Sequence, residues 1–185
     1  MRGWRRSSHT CAATLDGYIA DSDDGLDWLL GYEGSSYEPF YAGVGALVSG
    51  STTYEFVLEH LEKWPYAGKP YWVLSSRELV RPDGAEDEVR IVDASVAEIH
   101  DRVVESAGGA NAWVVGGGNV ASQYAAAGLL DELLLTVVPV VLGAGKPLFE
   151  DPLPGPVHLT GTSVFRSGMV ELRYEFDSPR SRSAL

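Results

Sequence analysis

The chain has one cysteine, Cys11, in 185 residues, so no internal disulfide can form and the redox compartment is left open. A lone thiol between Thr10 and Ala12 reads as a small packed hydrophobe rather than a nucleophile. Basic residues are scarce: 14 Lys and Arg stand against 26 Asp and Glu, for a net charge of −12. Such a surface repels a phosphate backbone, and no nucleic-acid partner is expected. No stretch reaches the roughly 18 apolar residues of a membrane helix, so no membrane association is expected either. The basic start, Met1 to Arg6, imitates the first part of a signal peptide, but His9 and Asp16 interrupt the next segment and leave no apolar core. The expected location is cytoplasmic. The four histidines, His9, His60, His100 and His158, are scattered without ligand spacing, and no metal is expected.

What the chain does have is a hydrophobic fraction of 45% with 22% charged residues, enough for a substantial core. No linker-like stretch divides it, so residues 1–177 read as a single domain. Residues 178–185 are polar and rich in Arg and Ser, and read as a disordered tail.

Short segments mostly bounded by turn residues predict strands at Ser8 to Leu15, Ala46 to Ser49, Tyr71 to Leu74, Val89 to Val92 and Ala112 to Val115. Between them fall a long loop with a short helix, a helix, a polar turn-rich segment, and a helix. Ser95 with Glu98 forms a capping-box pattern ahead of Val96, Ile99 and Val103, and Thr52 with Glu55 repeats it ahead of Phe56, Val57 and Leu61. Gly108-Gly109 and Gly128 supply stops. After Gly128 the pattern changes to successive strands, Leu133 to Leu142, Val157 to Phe165 and Met169 to Phe176, the last two joined by the hairpin signal Arg166-Ser167-Gly168. The fold class is α/β: a mixed, mainly parallel central sheet flanked by helices, with a C-terminal antiparallel hairpin.

Three turns suit an anion. Ala112-Trp113-Val114-Val115 runs into Gly116-Gly117-Gly118, and Asn119-Val120-Ala121 then opens a helix. Glycine lets a phosphate approach the backbone, and the free N–H groups at a helix start favour its charge. A tight turn with close helix-sheet packing explains the same residues equally well. Residues 116–121 also match the dinucleotide fingerprint of a Rossmann fold, but the motif comes late, and Asp131-Glu132 precede the next strand instead of ending it. Gly50-Ser51-Thr52-Thr53 is a second strand-to-helix turn. Ser75-Ser76-Arg77 is a third, with two hydroxyls and a guanidinium suited to a phosphate monoester such as the 2′-phosphate of NADP. At the ends of parallel strands the three could line one crevice.

Five segments in order, Thr14-Leu15-Asp16-Gly17-Tyr18-Ile19-Ala20, Gly50-Ser51-Thr52-Thr53-Tyr54, Val73-Leu74-Ser75-Ser76-Arg77, Val115-Gly116-Gly117-Gly118, and Gly128 through Pro139 to Phe149, cover most of the chain. Together they resemble the three-layer dihydrofolate reductase-like fold, and within it the group related to the C-terminal reductase domain of the bifunctional riboflavin-biosynthesis protein. The resemblance implies NADPH as hydride donor, with Ala12 and Ile19 near the nicotinamide, Thr53 and Gly116 to Gly118 near the pyrophosphate, and Ser75, Ser76 and Arg77 at the 2′-phosphate. Gly50 and Asn119 complete the cofactor set. It also implies a cis peptide between Gly116 and Gly117, and a homodimer.

Two positions depart from the family's pattern. Ser51 stands where many relatives carry Arg. The carboxylate that dihydrofolate reductases place near their first helix falls closest to Glu33, counting on from Trp28, while Ser35 and Glu38 form a capping-box pattern beside it. Glu33 and Asp16 are the candidate catalytic acids; Asp16 has the alternative role of fixing the turn at Gly17. Trp28 and Tyr54 are candidate walls of the substrate pocket. The expected reaction is hydride transfer to a C=N or C=O of a small heterocycle, such as a 5-amino-6-(5-phosphoribosylamino)uracil-type riboflavin precursor. The alternatives are a true dihydrofolate reductase and a non-catalytic nucleotide or small-molecule binding module on the same fold.

Overall fold

The first strand, β1 (Ser7–Thr14), lies in the interior of an eight-stranded sheet, and the rest of the chain is laid down on either side of it. The computed structural model describes residues 6–34 and 36–177. Its remaining strands are β2 (Tyr18–Ala20), β3 (Val44–Gly50), β4 (Tyr71–Leu74), β5 (Val89–Val92), β6 (Asn111–Gly116), β7 (Glu132–Val138), β8 (Lys146–Pro147), β9 (Val157–Val164) and β10 (Val170–Phe176). The large sheet has the order β5-β4-β3-β6-β1-β7-β10-β9, while β2 and β8 pair antiparallel as a separate ribbon. Every pairing from β5 across to β7 is parallel, and β10 and β9 close the sheet as an antiparallel hairpin.

Helices α1 (Tyr37–Ala42), α2 (Ser51–His60), α3 (Val96–Ser106) and α4 (Gly118–Ala126) supply the outer layers. Successive side chains of a strand point to opposite faces, so one strand feeds two cores. Ala46, Val48, Ala112 and Val114 pack with Ile99, Val103 and Tyr124 of α3 and α4. Leu47, Trp113, Tyr71 and Val73 pack with Tyr54 and Val57 of α2. Burial on both faces is why these strands read as continuous apolar runs.

Of the three capping patterns, one forms among the described residues. Ser95 Oγ accepts from the Glu98 amide at 3.4 Å while Glu98 accepts from the Ser95 amide at 2.8 Å. Thr52, by contrast, lies inside α2, whose N-cap is Gly50, and the Glu55 carboxylate goes to Arg77 instead. The helix α1 starts after Ser36 with no side-chain cap; Ser35, expected as its cap, falls outside the described residues. The strand expected to reach Leu142 ends at Val138, because Pro139 has no N–H to continue the ladder. The hairpin turn forms as expected, with Gly168 at φ 87° and its amide donating to the Phe165 carbonyl. The expected cis bond between Gly116 and Gly117 is absent: no cis peptide occurs among the described residues, and the turn is made by Gly116 at φ 152°. The basic start before Arg6 and the tail 178–185 lie outside the described residues. Among the described residues no helix is long and apolar enough to cross a membrane.

Candidate functional site

Parallel strands end on one side of a sheet, so the turns after β1, β3 and β6 are brought together. β3 and β6 are neighbours with Ser49 opposite Gly116, which puts the N-terminus of α2 beside the glycine run. Ser49 is fully buried, and its hydroxyl accepts from Tyr71 Oη at 2.9 Å and donates to the Gly50 carbonyl at 3.0 Å. That bond holds the end of β3 in place from beneath.

The glycine run is fitted between two walls. A Cβ at Gly116 or at Gly117 would lie 3.6 Å from Thr53 Oγ1, so the Thr53 side chain of α2 borders the run on one side. A Cβ at Gly118 would collide with the Pro147 carbonyl oxygen and lie 3.1 Å from that of Leu148. The strap of residues 146–150 therefore presses on the start of α4, and only glycine permits the approach. The strap is tied further by Ser122 Oγ, which accepts from the Glu150 amide at 2.9 Å, and by Asn119 Nδ2, which donates to Glu150 Oε2 at 2.6 Å.

Between these walls opens a cleft of about 630 Å³. Of the residues expected at the cofactor, Ala12, Ile19, Gly50 and Thr53 line it. So do Gly116, Gly117, Gly118 and Asn119. Trp28, on a short 3-10 turn over Asp27–Leu29, forms part of its wall, with an indole Nε1 that is buried and has no partner among the described residues.

The other expected residues lie elsewhere. Tyr54 is corrected from pocket wall to core: its ring packs against Trp64 and Tyr71, and its hydroxyl donates to the Val80 carbonyl at 2.6 Å. Glu33 is exposed and is no part of the cleft wall. Asp16 accepts from Thr14 Oγ1 at 2.6 Å and from the amide of Gly143 at 2.7 Å, fastening the loop after β7 to the turn after β1. The Thr14 hydroxyl, with the Gly143 and Leu142 amides behind it, holds the Asp16 carboxyl below the usual range. Ser75, Ser76 and Arg77 are not in the cleft wall, and Arg77 forks onto Glu55 at 2.8 and 3.2 Å. Arg77 is therefore neutralised at the surface.

Several residues of the wall were not among those expected at the site. Lys146 at the cleft stands 3.6 Å from Asp24, joining the strap to the loop after β2 by an exposed ion pair. Cys11 also lines the cleft, but enclosure pushes its thiol up to about 12, so it stays protonated and unreactive near neutrality. His9 is fully buried in the same wall; its Nδ1 lies 2.7 Å from the Val114 carbonyl and burial holds its pKa below the ordinary value. A sheet-interior histidine with no charged neighbour in sequence looks like core, and only the fold reveals that it borders a cavity. Asp23, Asp27, Glu55 and Glu59 gather around an adjoining hollow, which makes that hollow acidic.

Comparison with known proteins gives a consistent picture. Residues 8–170 match the family model described as the RibD C-terminal domain. The uncharacterized Bacillus subtilis protein YwjB is 33% identical over 168 residues, covering 88% of this chain and 93% of its own. A crystal structure from Shewanella sp. PV-4, of a protein named for riboflavin biosynthesis, is 29% identical with a TM-score of 0.78 over 92% of this chain and 98% of its own. The Thermotoga maritima diaminohydroxyphosphoribosylaminopyrimidine deaminase/5-amino-6-(5-phosphoribosylamino)uracil reductase shares the fold at 16% identity, with a TM-score of 0.67 over 92% of this chain and 56% of its own.

Proposed function

Since the chain belongs to the RibD C-terminal domain family, a family of riboflavin-pathway type with a dihydrofolate reductase-like fold, we propose that it is an NADPH-dependent reductase acting on a C=N or C=O of a small heterocycle. The observation that carries this reading is the glycine run where β6 enters α4, open to the cleft and bordered by Thr53. Its backbone N–H groups and the α4 N-terminus would hold a pyrophosphate, with the Thr53 hydroxyl as a further donor. Ala12 and Ile19, which line the cleft, would supply the apolar surface against which a nicotinamide ring lies. NADPH, when bound, supplies the hydride. The chain's own task is to orient the two rings and exclude water from between them. Trp28 would then cover the substrate side.

Ser75, Ser76 and Arg77 are proposed for the 2′-phosphate, with Arg77 exchanging its Glu55 partner for the dianion. A ribosylamino-pyrimidine of the type named for the Thermotoga enzyme is the substrate class we favour. A second reading, a nucleotide-binding module without turnover, draws on the position of Asp16 and Glu33 outside the cleft wall. The same proposal makes the protein a cytoplasmic homodimer.

Calorimetric titration with NADPH and NADH tests the core of the reading, and failure to bind either sinks it. Binding without oxidation across folate, pterin and ribosylamino-pyrimidine substrates would favour the binding module. Arg77→Ala should weaken NADPH by about tenfold or more with little change for NADH, the scale of a charge-assisted phosphate contact; equal losses would reject its role.

A further inference from the structure

His9 lies where a strand residue would ordinarily be Val or Leu, opposite Val114 in the parallel ladder between β1 and β6. Its ring meets Phe149 of the strap edge-on, at 6.5 Å between centroids. A backbone carbonyl can only accept, so the 2.7 Å contact to Val114 O fixes the ring proton on Nδ1. The other nitrogen, Nε2, is then a bare lone pair. It is buried, it has no partner among the described residues, and the residue belongs to the cleft wall. Buried acceptors without partners are uncommon in folded proteins, and those at a cavity mark where an occupant completes the bonding.

We infer that His9 is a specificity-determining residue of the cleft, whose Nε2 accepts a hydrogen bond from an uncharged N–H donor of the bound ligand. The inference rests on the reading of the cleft as a nucleotide and heterocycle site. It adds a polarity to that site: the glycine run offers donors and suits the anionic part of a ligand, whereas His9 offers an acceptor and suits a neutral carboxamide or amino group. A phosphate or carboxylate oxygen would meet the lone pair unfavourably, because the buried ring resists taking up the proton that would reverse its preference. The N–H can come from the nicotinamide carboxamide or from an amino-substituted heterocycle, and the experiment separates these.

The test uses the full chain carrying ¹⁵N-histidine. The His9 Nε2 resonance should start at the position of a free, unprotonated imidazole nitrogen and move upfield when ligand binds. Movement on adding NADPH alone assigns the carboxamide; movement only when an aminopyrimidine joins the NADPH complex assigns the substrate. His9→Phe, similar in size and lacking the acceptor, should raise the Kd or KM of that same ligand by about tenfold, the scale of one neutral hydrogen bond, and leave the other ligand unchanged. A resonance already at the hydrogen-bonded position without ligand, a silent resonance while NADPH and the aminopyrimidine both bind, or unaltered binding by a folded His9→Phe protein would each overturn the inference and leave the reductase reading standing. Absence of any nucleotide binding by the native chain would overturn that reading and the inference with it.

Discussion

Asp16 illustrates how one side chain can resemble a catalytic acid in sequence while its bonds in the structure are those of a fastener. An Asp before Gly in a turn after the first strand is compatible with either role. What decides is the direction of its bonds, which run to Thr14 and to the backbone of Leu142 and Gly143 rather than into the cleft. Because the folded pKa is depressed, its contribution is fully present above the unfolded value of 3.8 and disappears as pH falls through the lower folded value. Asp16→Asn should therefore leave ligand affinity near that of the native chain while speeding hydrogen exchange at the Gly143 amide at pH 7. The difference between the two proteins should shrink as the native chain is acidified through its Asp16 titration. A large loss of kcat with unchanged exchange would restore the catalytic role.

At the scale of elements, the contact between α4 and the strap makes a sharp prediction. Gly118→Ala drives a methyl group against the Pro147 and Leu148 carbonyls, and backbone can yield only by lifting the strap. The expected loss is about 2 kcal/mol, or roughly 5 °C in Tm, as for an overpacked site. Gly155→Ala, with open space around it, should melt like the native chain. Elements were also where the sequence was most and least legible. Strands Tyr71–Leu74 and Val89–Val92 are found at their expected bounds because both feed the two cores, Tyr71, Val73, Val89 and Ile91 on one side and Trp72, Leu74 and Val92 on the other. The ribbon of β2 with β8 was invisible, since a pairing of Tyr18 with Pro147 depends on two distant loops meeting. The capping pattern at Ser95 formed and that at Thr52 failed although the spacing is identical, because α2 starts a residue earlier, at Ser51 with Gly50 as its N-cap, which puts Thr52 inside the helix and leaves Glu55 to Arg77. In the site, the glycine run could be read from its own residues, but the strap and His9 join it only through packing across the fold.

For the whole molecule, the hairpin leaves β9 as the sheet's last strand, with Leu159 and Val164 exposed at 54% and 79%. An open edge with apolar side chains invites a second copy. Light scattering should give twice the 19.9 kDa of one chain, and Leu159→Glu combined with Val164→Glu should give single chains with an unchanged circular dichroism spectrum. A native mass of one chain would reject the homodimer.

The interior position of β1 has a consequence in time as well as in space. Its two partners begin at Asn111 and Glu132, so Ser8 meets Trp113 on one side and Glu132 on the other. A chain made from its first residue onward must hold this interior strand unpaired while more than half of the protein is still being synthesised. Pairings of such long sequence separation form slowly. The step that joins β1 to β6 and β7 also creates the wall containing His9 and Ala12, so the cleft requires both long-range pairings and cannot be inherited from any local piece of the chain.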